Sequence, residues 1–214
     1  MTELEKYLIT KFLEQSYQPL YNWSPTWTDQ NYQNKVKRYD NRIEMILSEL
    51  ENPNGKIIDI GCSEGYDSFK IHENGGNVVG VDKVLRALPT AKYLQLYHDI
   101  TENLKFIKSN IFDFLESNEE HFDYCICFLV LHHFLDKYDN LSDSDNFLTI
   151  QGINLLDKIK KISKVSFLQL RLNGRDLEFQ EYLMNERGFS DVKILTPPSN
   201  VDIKGKEVIF KCRT

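Results

Sequence analysis

The stretch KIIDIGCSEG, from Lys56 to Gly65, decides the fold of this 214-residue chain. Its first five residues are largely apolar, as in a strand that is buried within a sheet. Gly61 then lets the chain turn, Gly65 lets a ligand come close to the backbone, and the residues that follow resemble a helix start. The stretch therefore predicts a strand, a glycine-bearing turn and a helix, which together open an α/β fold.

The alternation of strand and helix continues along the chain. Short apolar runs predict seven strands, at 56–60, 77–81, 104–108, 122–128, 165–170, 192–195 and 207–210. The stretches between them predict helices at 64–73, 84–96, 112–118, 146–162 and 177–187. This order predicts right-handed βαβ units and a mainly parallel sheet. The last two strands are joined by a segment with no room for a crossover helix, so they are predicted to be antiparallel neighbours.

Two of these helices carry end signals in the sequence. Ser142 with Asp145 predicts an N-terminal cap for the helix at 146–162. Gly188 predicts the end of the helix at 177–187.

Residues 1–55 are predicted to form an N-terminal helical and aromatic cap segment, in front of one structural unit at 56–214. Helices are expected up to about residue 21 and at 35–50. Both tryptophans, Trp23 and Trp27, fall in a stretch that prolines keep from being regular. They either cover the edge of the core or close over a bound substrate, and both interpretations stay open.

The composition is that of a globular protein, with 41% apolar and 27% charged residues. There are 26 basic and 32 acidic residues, and the net charge of −6 argues against a nucleic-acid partner. The acidic excess is concentrated at 111–145, which contains nine acids and one lysine. A run of this kind is typical of a solvated face.

The four cysteines match no zinc-binding spacing, so no metal site is predicted. They are expected to be buried thiols in a reducing compartment. The first residues are charged throughout, and no stretch approaches the roughly 20 apolar residues that cross a bilayer. We therefore expect no membrane span and a cytoplasmic location.

Two carboxylates at predicted strand ends indicate the class of ligand. Asp82 ends the second strand, where a parallel sheet places an acid that can accept both hydroxyl protons of a ribose. A dinucleotide site would need glycines where Ser63 and Tyr66 stand. Asp59 would repel a pyrophosphate, but it favours a cationic amino group. An amino group, a ribose and an adenine together describe S-adenosyl-L-methionine.

At these residues the sequence resembles the class I S-adenosylmethionine-dependent methyltransferases. The match is to their first motif, in which Asp59, Gly61 and Gly65 stand at the expected spacing and Ser63 replaces a glycine that is often present. The resemblance spans about 56–214. It implies a Rossmann-like methyltransferase fold, with a seven-stranded mainly parallel sheet, a C-terminal antiparallel hairpin and helices on both faces.

The resemblance also implies a set of cofactor-binding residues. Asn110 falls at the adenine-contacting position, where many members carry Asp, and an amide can still hydrogen-bond the adenine edge. The complete set is Asp59, Gly61, Cys62, Ser63, Gly65, Asp82, Lys83, Asn110, Ile111 and Phe128.

The candidate catalytic residues are His132 and His133, which follow the fourth strand. Histidine suits proton transfer near neutral pH, although a histidine here can also merely shape the pocket, and both interpretations stay open. Arg171 and Arg175 follow the fifth strand. They either pair with an anionic acceptor or form ion pairs with the acidic run.

The Leu-His-His-Phe segment and the Leu-Gln-Leu-Arg strand also resemble the methyltransferase half of bacterial enzymes that terminate O-antigen chains. This resemblance implies O-methylation of a glycan or sugar-phosphate, and the predicted acceptors are therefore a small molecule, a glycan or a sugar-phosphate. Two alternatives stay open: a non-catalytic adenosylmethionine-binding or partner-activating module, and an NAD-dependent oxidoreductase. The sequence does not indicate the oligomeric state.

Overall fold

The computed structural model describes residues 2–4, 7, 13, 15–22, 30–84, 87–135, 147–196 and 207–214. Seven strands form one sheet: β1 (Lys56–Ile60), β2 (Asn77–Asp82), β3 (Leu104–Lys108), β4 (Phe122–Phe128), β5 (Ser163–Arg171), β6 (Asp191–Ile194) and β7 (Glu207–Arg213). The helices among these residues include α1 (Gln30–Ser48), α2 (Tyr66–Glu73), α3 (Ala87–Tyr97), α4 (Ile111–Ser117), α5 (Ile150–Ile162) and α6 (Asp176–Asn185). A short 3₁₀ helix spans Leu131–Phe134.

The strand order is β3-β2-β1-β4-β5-β7-β6. β1 pairs with β4, β2 with β3 and β4 with β5, all in parallel. β7 lies between β5 and β6 in the sheet and is antiparallel to both. The predicted seven-stranded Rossmann-like sheet with antiparallel terminal strands is confirmed. The insertion of β7 between β5 and β6 was not predicted.

Packing divides the chain into two compact units, one formed by 1–55 and 62–110 and the other by 56–61 and 111–214. The predicted division into 1–55 and 56–214 stays a prediction. Within the described residues no helix is both long and apolar enough to cross a membrane.

In the first unit, α1 buries Tyr39, Ile43 and Ile46 at helical spacing. The same helix buries Arg42, which forms an ion pair with the buried Asp67 of α2. A charge this deeply buried requires a partner, so the pair specifies how α1 meets α2.

In the second unit, β1, β4, β5 and β7 carry runs of buried residues, as expected for strands covered on both faces. α5 begins at Ile150, and Thr149 Oγ1 caps it by accepting a hydrogen bond from the Gly152 N–H (3.3 Å). The predicted cap, Ser142 with Asp145, is therefore wrong for this helix, which begins four residues later than expected. Both residues lie outside the described part of the chain.

α6 ends at Asn185, two residues before the predicted end, and the chain leaves the helix through the predicted Gly188. Gly188 follows it with φ +66°, a conformation that glycine adopts without strain. The Phe189 N–H donates to the Leu183 carbonyl (3.1 Å), which satisfies a carbonyl of the last turn.

Candidate functional site

The strand order changes direction at β1 and β4, which are parallel neighbours. The chain passes from β1 to β2 towards one edge of the sheet, and from β4 to β5 towards the other. Open α/β sheets bind ligands outside the carboxyl ends of their strands at such a point. The residues that follow β1 and β4 are therefore the first to consider as a site.

Asp59 is a buried carboxylate in β1, only 3% exposed, opposite Ile126 of β4. Burial raises the pKa of the nearby Cys127 thiol to about 12, and the negative charge of Asp59 adds to the shift. Cys127 is therefore protonated at neutral pH and does not serve as a nucleophile.

Gly61 follows β1 with φ +75°. A Cβ atom there would lie 2.3 Å from Cγ2 of Val130, which comes shortly after β4. Gly61 is thus required by its backbone conformation and by its close contact with Val130, a partner that the sequence did not indicate.

In the first unit, Asp82 is the acceptor for two backbone groups. The Ser63 N–H donates to its Oδ2 (2.8 Å), and the Val84 N–H donates to its Oδ1 (2.7 Å). The carboxylate is 9% exposed, and its orientation is set from both sides. Each oxygen still has a lone pair for a ligand hydroxyl, because a carboxylate can accept about four hydrogen bonds.

Ser63 itself has φ +52°, a left-handed conformation that is uncommon outside glycine. Its hydroxyl donates to Oε2 of the buried Glu64 (2.6 Å). Ser63 therefore adopts a conformation that would suit glycine, held by two hydrogen bonds. We call residues Cys62–Gly65 the Ser63 turn.

An aromatic ring packs against this turn. A Cβ atom on Gly65 would lie 2.7 Å from Cζ of Phe106, and one on Gly80 would lie 2.8 Å from Cδ1 of the same ring. The close approach that Gly65 permits is therefore, in this structure, to Phe106. The predicted approach of a ligand to the Gly65 backbone stays a prediction.

Other residues of the predicted cofactor set also lie at strand ends. Lys83 is exposed directly after β2, and Asn110 is exposed after β3. The Ser109 N–H donates to the Asp82 carbonyl (3.1 Å), which ties the ends of β2 and β3 together. Ile111 begins α4, and Phe128 is the buried last residue of β4.

The two candidate histidines lie on the 3₁₀ helix after β4, and we call Leu129–Phe134 the His132 turn. Leu129 has φ +53°, which is strained for a bulky residue, and its N–H donates to the Gln169 carbonyl (3.0 Å). Backbone strain like that at Leu129 is characteristic of functional turns. The ring centroids of His132 and His133 lie 4.0 Å apart.

The two histidines differ in environment. Burial lowers the pKa of His132 to about 4, with further lowering by His133 and Arg171 and an opposing effect of Glu207. His132 is therefore neutral at pH 7 and can accept a proton. His133 is exposed.

Both candidate arginines have carboxylate partners among the described residues. Arg171 donates to Oε1 of Glu207 (2.8 Å), and Gln169 donates to Oε2 of the same carboxylate (2.9 Å). Arg175 donates to Glu178 (2.7 Å). Glu207, the first residue of β7, thus compensates the charge of Arg171 at the end of β5.

A model of the methyltransferase domain family matches residues 51–184. The chain belongs to this family. The family predicted from the motifs is therefore confirmed, and the match includes both the Ser63 turn and the His132 turn of this methyltransferase domain.

Curated relatives of the methyltransferase domain have different acceptors. A ubiquinone biosynthesis O-methyltransferase of Hydrogenovibrio crunogenus is 32% identical over 95 residues, which cover 44% of this chain and 39% of that protein. A sterol 24-C-methyltransferase of Pneumocystis carinii is 25% identical over 185 residues, which cover 74% of this chain and 48% of that protein. The chain spans less than half the length of either relative.

Solved structures share the fold. The N-terminal domain of EvdMO1 with SAH bound has a TM-score of 0.65 and 14% identity, with 100% of this chain and 98% of that one covered. The bifunctional kinase-methyltransferase WbdD has a TM-score of 0.60 and 14% identity, with 96% of this chain and 46% of that one covered. At these identities the likeness shows the architecture alone.

Within the first unit, the structure of the methyltransferase domain brings Ser63 and Asp82 into direct contact. Trp23 and Trp27 lie outside the described residues, so their predicted substrate role stays a prediction. Five residues were not predicted to belong to the site: Glu64, Phe106, Leu129 and Val130, which shape the two turns, and Glu207, which pairs with Arg171. Only Glu64 had a signal, an acid inside a glycine-bearing turn that is otherwise apolar or small.

Proposed function

We propose that this chain is an enzyme that transfers the methyl group of S-adenosyl-L-methionine to an oxygen atom of a small molecule, glycan or sugar-phosphate. The observation that carries the proposal is the Asp82 carboxylate, oriented by the N–H groups of Ser63 and Val84 in a chain of the methyltransferase domain family. The same family match argues against the NAD-dependent alternative.

The residues present fit this cofactor. Both oxygens of Asp82 are held in place and keep acceptor capacity, as the two hydroxyls of a ribose require. Asp59 is a buried negative charge, which favours a cationic amino group. Asn110 would hydrogen-bond an adenine edge.

The cofactor supplies an electrophilic methyl group, so the protein needs to orient the acceptor and remove its proton. His132 is neutral at pH 7, and an imidazole nitrogen can take the proton of an acceptor hydroxyl. Exposed His133 is the second candidate. Either histidine is the proposed general base.

Two observations support an oxygen acceptor. One curated relative is an O-methyltransferase, and the EvdMO1 domain was also crystallised in the presence of SAH and D-fucose. The ion pairs of Arg171 and Arg175 leave little uncompensated positive charge after β5, which favours a neutral hydroxyl over an anionic group. Among the proposed acceptors, a sugar hydroxyl agrees best with these observations.

The non-catalytic alternative is based on two differences from the usual family pattern, namely Ser63 in place of a glycine and Asn110 in place of an aspartate. Ser63 nevertheless adopts the left-handed conformation that a glycine would supply. This departure therefore does not argue against catalysis.

Calorimetric titration with S-adenosylhomocysteine tests the cofactor, and transfer of a radiolabelled methyl group to a panel of sugars and nucleotide sugars tests the reaction. We expect saturable binding and labelled product. Binding without transfer to any acceptor would favour the non-catalytic alternative. No binding at all would refute the proposal.

A further inference from the structure

Glu64 is a buried charge that the proposed chemistry does not use. It lies next to Ser63 and is 4% exposed. A buried carboxylate is stable only where hydrogen bonds replace its hydration, so its partners indicate what it holds in place.

The Glu64 carboxylate has partners on two parts of the first unit. Its Oε1 accepts the Tyr17 N–H (3.1 Å), while its Oε2 accepts the Gln18 N–H (3.1 Å) and the Ser63 hydroxyl (2.6 Å). One side chain therefore bridges the Ser63 turn and a segment about 46 residues earlier in the chain.

That segment, residues 16–22, has anchors of its own. Tyr21 stacks on Phe69 of α2 with ring centroids 4.7 Å apart. The Gln18 side-chain oxygen accepts the Tyr66 N–H (2.8 Å). The Leu20 N–H donates to the Tyr32 hydroxyl (3.1 Å). The 16–22 segment is thus anchored independently of Glu64, and its backbone N–H groups hold the Glu64 carboxylate in place.

The turn that Glu64 contacts is strained. A non-glycine residue in the left-handed region is destabilised, because its Cβ comes too close to the following carbonyl oxygen. At Ser63 this conformation is supported by the hydroxyl bond to Glu64 and by the N–H bond to Asp82. If the hydrogen bond from the Ser63 hydroxyl to Glu64 is lost, the left-handed conformation of Ser63 becomes less stable. When Ser63 leaves this conformation, Asp82 loses the Ser63 N–H, one of its two orienting donors.

We propose that Glu64 is a positioning residue that holds Ser63 in its left-handed conformation from the 16–22 segment, and so keeps Asp82 arranged to bind the adenosyl cofactor. This inference rests on the proposed function. A site that is preorganised in only a fraction of molecules binds its ligand more weakly by that fraction, so Glu64 sets cofactor affinity without touching the cofactor.

The test replaces Glu64 by Gln, which keeps the size of the side chain but exchanges one acceptor oxygen for a donor. Calorimetry with S-adenosylhomocysteine should show a Kd that is about tenfold higher, equivalent to about 1.4 kcal/mol. In the transfer assay the KM for S-adenosylmethionine should rise similarly, while kcat and the KM for the acceptor stay within about twofold. Glu102→Gln removes an exposed acid from the same unit and is the matched control.

A second variant separates positioning from general stability. Ser63→Gly in the Glu64→Gln background supplies a residue that adopts positive φ without support. The double variant should recover S-adenosylhomocysteine affinity to within about threefold of the parent protein, even if its melting temperature stays low.

The outcomes discriminate clearly. Unchanged affinity in Glu64→Gln, or a loss that Ser63→Gly does not restore, would overturn the role of Glu64 while leaving the proposed function intact. If the unaltered protein does not bind S-adenosylhomocysteine, the proposed function itself is wrong and this inference falls with it.

Discussion

The Ser63 turn and the His132 turn have the same backbone feature in very different surroundings. Ser63 and Leu129 are both non-glycine residues with φ near +50°. The Ser63 turn is held by buried carboxylates that accept its N–H and hydroxyl groups. The His132 turn is held by backbone bonds instead, from the Leu129 N–H to the Gln169 carbonyl and from the Thr149 N–H to the Phe134 carbonyl, and it presents a half-buried and an exposed imidazole.

This difference matches two different tasks. A turn that binds a cofactor of constant structure benefits when its polar groups are already held in place by hydrogen bonds before the cofactor binds. A turn that meets the acceptor needs a titratable group whose environment tunes its pKa. We infer that the Ser63 turn serves the cofactor and the His132 turn serves the reaction, and variants at these sites test the comparison.

The largest expected effect is at His132. If it is the base, His132→Gln should lower kcat by about 100-fold or more, the size typical of general-base catalysis. The Kd for S-adenosylhomocysteine should not change, as measured by calorimetry. His133→Gln is the matched variant, and a large kcat loss there alone would move the base to His133. An equal loss of cofactor affinity in His132→Gln would contradict the division between the turns.

The complementary variant is Asp82→Ala. It removes the acceptor that both Ser63 and Val84 use, and with it the proposed ribose contact. We expect the Kd for S-adenosylhomocysteine to rise about 100-fold, equivalent to about 2.7 kcal/mol, by calorimetry. Glu102→Gln again controls for the loss of an exposed acid. An unaltered Kd in Asp82→Ala would remove the main support for the proposed cofactor site.

Gly61 follows β1 and packs against Val130 in the chain after β4, and its replacement tests how closely these two residues are packed. Gly61→Ala adds a Cβ at 2.3 Å from Val130 and forces φ +75° on a non-glycine residue. Gly188→Ala has a similar φ penalty, but its Cβ meets only the flexible end of Lys160 at 3.1 Å. Urea unfolding should show Gly61→Ala to be less stable than Gly188→Ala by about 2 kcal/mol. Equal losses would mean that Val130 moves aside at little cost.

The smallest expected effect concerns the charge balance around His132. Burial is the main cause of the low His132 pKa, and the charge of Arg171 adds to it, so Arg171→Gln should raise this pKa from about 4 towards its ordinary value. If neutral His132 is the base, activity is lost as the pH falls through this pKa, and the loss should begin at a higher pH in Arg171→Gln. NMR titration of the His132 ring and the acid limb of kcat would measure the shift. A lower pKa in the variant would show that Arg171 acts on His132 in another way.

Much of the architecture could be predicted because it depends on local pattern. β1, β3 and β4 have the predicted bounds, since each is a short run rich in apolar residues between turn residues. The cap of α5 was predicted wrongly because Ser142 and Asp145 satisfy the local sequence rule for an N-terminal cap. Thr149 is the residue that caps the helix in the structure. Local rules do not decide between two acceptable caps.

The candidate site, like the fold, was only partly predictable from the sequence. Asp82 and the glycines were recognisable from their spacing, because a βαβ unit fixes where strand ends lie. Glu207 was not, because it begins a strand and gains its role only when β7 pairs with β5 and places it opposite Arg171. The predicted assignments of the individual site residues stay predictions until ligand binding is measured.

The amino-acid sequence by itself determined the order of strands and helices, the family and the acids at strand ends, because these follow from hydrophobic period and motif spacing. Only the tertiary structure decided which residues meet: Glu64 with the 16–22 segment, Gly61 with Val130, and Arg171 with Glu207. The physical reason is that such contacts join residues far apart in the chain, and their energies depend on burial and geometry that appear only when the sheet has formed.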